Sequence, residues 1–96
     1  MKSGKSHLDG ERVVWVFTPA DSAACFPAGV WSTKEKATQW IRDVGAAGCL
    51  SAYILDESAY ESNVRLGLLK VVEPAKITPE FKRRFTTAVD HSHVVA

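Results

Sequence analysis

Ser32-Thr33-Lys34-Glu35-Lys36-Ala37-Thr38-Gln39-Trp40-Ile41-Arg42-Asp43-Val44-Gly45 is the stretch from which the rest of the chain can be placed. Ser32 and Glu35 stand three apart, the spacing of a capping box, in which the Ser32 hydroxyl accepts from a first-turn amide. Behind them Ala37, Trp40, Ile41 and Val44 recur at i, i+3, i+4 and i+7, one stripe of an amphipathic helix. Gly45 supplies the C-terminal stop.

Working outward, Val13-Val14-Trp15-Val16-Phe17 is a β-branched and aromatic run, bounded by Pro19. It predicts a central strand with both faces covered. Thr18 to Phe26 is rich in loop formers, and Pro27 biases Phe26 to an extended conformation. A second strand is expected from Ala28 to Trp31, antiparallel to the first. On the other side, Cys49 to Leu55 predicts a third strand, with Leu50 and Ile54 on one face and Tyr53 and Leu55 on the other.

Asp56 or Ser58 then caps a second helix, whose stripe is Tyr60, Val64 and Leu68. Gly67 either ends that helix or admits another backbone. Leu69 to Val72 is expected as a short edge strand, closed by Pro74. Thr78-Pro79-Glu80 has the cap, the N1 proline and the first-turn acid of a third helix, with Phe81, Phe85 and Ala88 as its buried stripe. The tail from Val89 ends either as a strand or free. The order ββαβα(β)α predicts an α+β fold: a small antiparallel or mixed sheet with two to three helices packed on it. The domain is expected over residues 12–96, after a flexible polar arm of residues 1–11.

Composition narrows the classes. At 96 residues, 46% hydrophobic and 24% charged, the chain is of ordinary globular type. Twelve basic and eleven acidic residues leave a net charge of +1. Neither a non-specific DNA binder nor an acidic nucleic-acid mimic is built that way, since both depend on large single-sign fields. No apolar run approaches the ~18–20 residues that span a bilayer. The polar start lacks the apolar centre of a signal peptide, so a cytoplasmic location is expected. Cys25 and Cys49 are far apart and form no CxxC, so two half-buried free thiols are expected rather than a bridge.

Chemistry-bearing motifs are sparse. His91-x-His93 is the one metal-like signal, because a strand would put both imidazoles on one face. Surface histidines that hydrogen-bond the last helix account for it better, and no metal or cofactor is expected. Lys82-Arg83-Arg84 lies between Phe81 and Phe85. Aromatics interleaved with basic residues resemble a base-stacking surface. At helical spacing, though, the phenylalanines share one face and the basic residues occupy the others, a core stripe under a solvated face. No GxSxG, HExxH or Gly-rich phosphate loop is present, and neither cysteine has an assigned base. Trp15 and Trp40 fit the core pattern, whereas Trp31 is expected to lie partly exposed, as binding-surface tryptophans do.

Val14-Trp15-Val16-Phe17, then Phe26-Pro27-Ala28-Gly29-Val30-Trp31-Ser32-Thr33-Lys34-Glu35-Lys36-Ala37, then Trp40-Ile41 resemble the opening of a family of small stand-alone bacterial domains of unknown function. That family runs VWVF, FPSGVFSS, E, A and WI in the same order. Gly48 to Tyr53, Tyr60, and Phe81 through His93 are similar to its second half, which closes on F-x-x-R-F-T-T-A and H-x-H. The resemblance covers about Val13 to His93. The chain departs from the pattern at Ile54, where the family has proline, and at Glu61-Ser62, where it has aspartate-tryptophan.

The family brings no activity. Proteins of this size and style are often immunity proteins, encoded beside a toxin they neutralise, an analogy rather than a motif. The expected function is therefore a non-catalytic protein-binding domain, an immunity protein sequestering a cognate toxin domain. Trp31, Lys82, Arg83, Arg84, His91 and His93 are its candidate partner-binding residues. The alternatives are a small-ligand-binding or regulatory domain and, more remotely, a metal-dependent enzyme using His91 and His93.

Overall fold

The structure, a computed structural model, describes residues 7–21, 25–69 and 73–95. Its elements are β1 (Val13–Pro19), β2 (Gly29–Trp31), α1 (Lys34–Val44), β3 (Ala47–Ile54), α2 (Ala59–Arg65), a 3-10 turn (Pro74–Lys76), α3 (Pro79–Arg84) and β4 (Asp90–Val95). The strands form one antiparallel sheet in the order β2-β1-β3-β4. This is the expected α+β class, with the polar tail closing the sheet as β4. Residues 70–72 of the expected edge strand lie outside the described residues; the edges seen are β2 and β4.

α1 forms where the periodicity places it, but its cap is one residue later than the capping-box reading. Thr33, extended at φ −136°, accepts from the Lys36 amide at 3.2 Å. Glu35 therefore sits at N2 rather than N3, and its place in the first turn suits the helix dipole instead. At the other end Gly45 is left-handed at φ 68°, where a side chain would be strained. Its amide donates to the Arg42 carbonyl and the Ala46 amide to the Ile41 carbonyl, the two bonds of a Schellman closure.

The core lies on one face of the sheet. Trp15 and Phe17 of β1 sit opposite Ala52 and Leu50 of β3, and all four are buried with Ile54 and Val89. Ala37 and Ile41 of α1 close over them, and Trp40 meets Phe17 edge-on with ring centroids 6.2 Å apart. Phe17, with no exposed surface, is the centre. β1 is central as expected, yet only one of its faces is covered: Trp15 and Phe17 are buried, while Val14 and Val16, which alternate with them, are half-buried. α1 lies across β1 and β2 and α2 against β3, and every buried strand residue belongs to the one face.

α2 also departs from its apolar stripe. Val64 and Leu68 are exposed, and the buried positions are Ser62 and Asn63. Both are satisfied, as buried polar groups must be. Ser62 donates to Glu57 at 2.8 Å, and the Asn63 amide donates to the Ala59 and Thr87 carbonyls at 2.8 and 2.9 Å. Asn63 thereby ties α2 to the segment leading into β4. Ser58 is the cap, accepting from the Glu61 amide at 3.1 Å, and Gly67 at φ +72° turns the chain just beyond the helix. The third stripe is corrected as well: α3 ends at Arg84. Phe81 and Phe85 are only half-buried and pack on Tyr60 as a satellite cluster away from the main core.

Residues 7–11, expected within the arm, are tied down. Leu8 packs on the core, His7 Nε2 lies 2.9 Å from the Val89 carbonyl oxygen, and Glu11 joins an ionic cluster. In that cluster the Arg65 guanidinium donates to both oxygens of Glu57 (2.8 and 2.9 Å) and both of Glu11 (2.6 and 3.0 Å). Hydrogen bonds from Arg65 hold both carboxyls below their ordinary value of 4.5, with Ser62 adding to the effect at Glu57. A carboxylate depressed in the folded state stabilises above its unfolded pKa, and that contribution is lost as pH falls through the folded value. Thermal stability is therefore expected to hold from neutrality to about pH 5 and to fall below about pH 4.5. Melts of Arg65→Ala over the same range should start lower at pH 7 and fall less steeply.

Candidate functional site

Strand alternation assigns the second face of the sheet. β1 presents Val14, Val16 and Thr18 there; β2 presents Val30; β3 presents Cys49, Ser51 and Tyr53; β4 presents His91, His93 and Val95. None of these side chains is buried, and the apolar ends of the face are open: Val30 is 58% and Val95 85% exposed. No Asp, Glu, Lys or Arg stands among them. Its side chains are aliphatic, hydroxyl, thiol and imidazole groups.

Its polar half is organised across strands. His91 lies opposite Ser51 and His93 opposite Cys49, and the two imidazole centroids are 5.6 Å apart, edge to face. Cys49 Sγ and Ser51 Oγ are 3.5 Å apart. Beside His93 a concavity of about 440 Å³ is lined in part by Thr18, Cys25, Cys49 and Val95. Cys25 is exposed, not half-buried as expected, and Cys49 is half-buried; both are free thiols. Among the described residues no cluster of three or more His, Cys, Asp or Glu side chains is arranged to hold a metal ion.

The Tyr53 hydroxyl connects this face to the third helix by donating to the Thr86 carbonyl at 2.8 Å. Burial, and after it the neighbouring Cys49, pushes the Tyr53 hydroxyl above its ordinary value, which keeps it a donor. Just before Thr86 stands the aromatic triangle of Tyr60, Phe81 and Phe85, each pair of centroids 6.0 Å apart. The basic triplet on α3 is not uniform. Lys82 lies over the Tyr60 ring at 5.4 Å, Arg84 pairs with Glu80 at 3.0 Å, and Arg83 has no ion pair among the described residues. Phe81, Arg84 and Phe85 also line a shallow concavity of about 410 Å³.

A family profile matches residues 14–96. The chain belongs to DUF7710, a domain of unknown function. The matched span runs from the second residue of β1 through β4, so among the described residues both the open sheet face and α3 of this DUF7710 domain belong to it. No curated protein matches the chain, and no solved structure does. Among the described residues no helix is long and apolar enough to cross a membrane.

Of the residues picked from the sequence, His91 and His93 of the DUF7710 chain come together on the open face, while Lys82, Arg83 and Arg84 lie on α3, just before Thr86, the acceptor of the Tyr53 hydrogen bond. Trp31 does not join them. It is half-buried on the core side of β2, stacked on Trp40 with centroids 5.3 Å apart. Val14, Val16, Val30 and Tyr53 were missed as surface residues. The signal for them was the parity of β1, since Trp15 and Phe17 point one way and the valines the other.

Proposed function

We propose that this chain is a non-catalytic protein-binding domain that receives its partner on the open sheet face, and that the partner is a bacterial toxin domain which it neutralises in the cytoplasm. The observation that carries the binding reading is the face itself: one whole side of a four-stranded sheet with no buried side chain, apolar at its ends and free of carboxylates. Apolar side chains left exposed on an uncovered sheet face are a common mark of an interaction site. A standard interface needs ~800 Å² per partner, about an eighth of the 6566 Å² this chain exposes. The toxin reading rests on an analogy of domain size and style. Neutralisation would then be steric, by occlusion of the toxin's working surface, with Arg83 and Arg84 adding attraction for an acidic rim.

The test is co-expression with the C-terminal domain encoded by the adjacent gene in a sensitive host. Protection and a 1:1 complex on size exclusion are expected, with nanomolar or tighter affinity, roughly −12 kcal/mol. Val30→Glu, at an exposed position, should weaken the complex at least about tenfold, or ~1.4 kcal/mol. Arg83→Glu with Arg84→Glu should weaken it less and in a salt-dependent way. Circular dichroism should show both variants folded. No protection and no complex would defeat the toxin reading. A complex indifferent to Val30→Glu would move the interface off this face.

A further inference from the structure

The free edge of β4 points to a property independent of the toxin reading. β4 is the longer of the two edge strands, and among the described residues nothing pairs with its outer side. Natural sheets blunt such edges with lysine, proline, a bulge or extreme shortness. β2, three residues long and preceded by Pro27, is blunted in this way. Asp90-His91-Ser92-His93-Val94-Val95 carries neither lysine nor proline, its one carboxylate stands at its first position, Asp90, and its register with β3 runs unbroken from Val95 to Asp90. A second observation bears on the same strand. Ser92, opposite Leu50 on the core face, has a buried hydroxyl with no hydrogen-bond partner among the described residues, which a native structure rarely leaves unsatisfied.

We propose that β4 is a self-association edge: two copies pair β4 with β4, antiparallel, about a two-fold axis at Ser92, joining their sheets into one. This register is self-complementary, as an isologous contact must be. Ser92 faces the partner's Ser92 on the core side, and a change of its χ1 rotamer brings the two hydroxyls into cross-strand hydrogen-bonding range. His91 faces the partner's His93 on the open side, so the two histidine pairs form one row and the open face doubles in width. The His91 amide, which donates to its neighbour Asp90 at 2.9 Å in the single chain, is released to the partner strand. A strand-to-strand seam buries less than the ~1,200 Å² of a standard stable interface, so the dimer is a weak one.

The test combines sedimentation of the unmodified chain with site-specific cross-linking. From low-micromolar to near-millimolar concentration, the average mass should rise from 10.5 kDa toward twice that value. In a Cys25→Ser, Cys49→Ser background, Ser92→Cys should form a covalent dimer under mild oxidation several-fold faster than Val95→Cys. Val95 is the more exposed position, so cross-linking by random collision would give the opposite order. An unchanging mass in the unmodified chain, or Val95→Cys reacting as fast as Ser92→Cys, overturns the proposal. Should the cysteine variants fail to fold, His91→Lys with His93→Lys in the native chain must abolish the concentration dependence. A dimer that survives that change places the contact elsewhere and overturns the proposal too.

Discussion

Phe17→Ala is expected to lower the unfolding free energy by about 3–5 kcal/mol, a third or more of what a domain of this size has. Phe17 is fully buried at the centre of the covered face, opposite Leu50 and against the edge of Trp40. Its removal leaves a cavity between sheet and helix that neither can close, because the β1–β3 ladder holds the backbone in place. Trp40→Ala removes a larger side chain yet should cost less. Trp40 is half-buried and bridges Phe17 to the half-buried Trp31 at the edge of the core. Arg83→Ala, on the solvated side of α3, should change stability by no more than about 0.5 kcal/mol. Urea melts of the three variants test the order, and Trp40→Ala costing more than Phe17→Ala would show that the core is centred elsewhere.

Gly48→Ala is the second large effect, expected at or above the upper end of the about 1–3 kcal/mol that overpacking costs. Gly48 pairs with Pro19 where β1 turns away from β3. A Cβ there would collide with the Thr18 carbonyl oxygen and lie 2.9 Å from both the Ala20 nitrogen and the Pro19 Cα. All three obstacles are backbone, and the Ala20 amide is already held by the Ala47 carbonyl at 2.9 Å. The strands can admit the methyl group only by parting. Gly29→Ala provides the comparison. There the three atoms nearest a Cβ all belong to the indole of Trp31, a side chain that can swing aside. Gly29→Ala should cost less and change tryptophan fluorescence as the Trp31–Trp40 stack opens. Equal losses in the two variants would show that the β1–β3 backbone yields as readily as a side chain.

The open face and the β4 edge make a common demand on experiment, because a partner on the face and a second copy along the edge can be present together. Val30 lies on β2, at the far side of the sheet from Ser92 on β4. Variants at the two positions should therefore separate the two contacts, and sites so far apart are expected to act additively.

The sequence by itself determined those features whose chemistry is local. A capped stretch ending in glycine made α1, Thr78-Pro79 started α3, a β-branched and aromatic run made β1 and an alternating run made β3, because each depends on residues within one turn or one strand of itself. Those elements were enough for the α+β class. Tertiary structure decided which faces are covered. Period-two alternation says that Val14 and Val16 share a side, but only the landing place of α1 leaves that side open. For the same reason α2 turns Ser62 and Asn63 inward against its own apolar stripe. Glu57 and the Thr87 carbonyl, the latter 24 positions from Asn63, meet their hydrogen bonds, a match no local pattern contains. The Arg65–Glu11 pair spans 54 positions, and the need for glycine at residue 48 comes from a neighbouring strand. Contacts between distant parts of the chain exist only once the fold has formed, and the candidate site is made of such contacts.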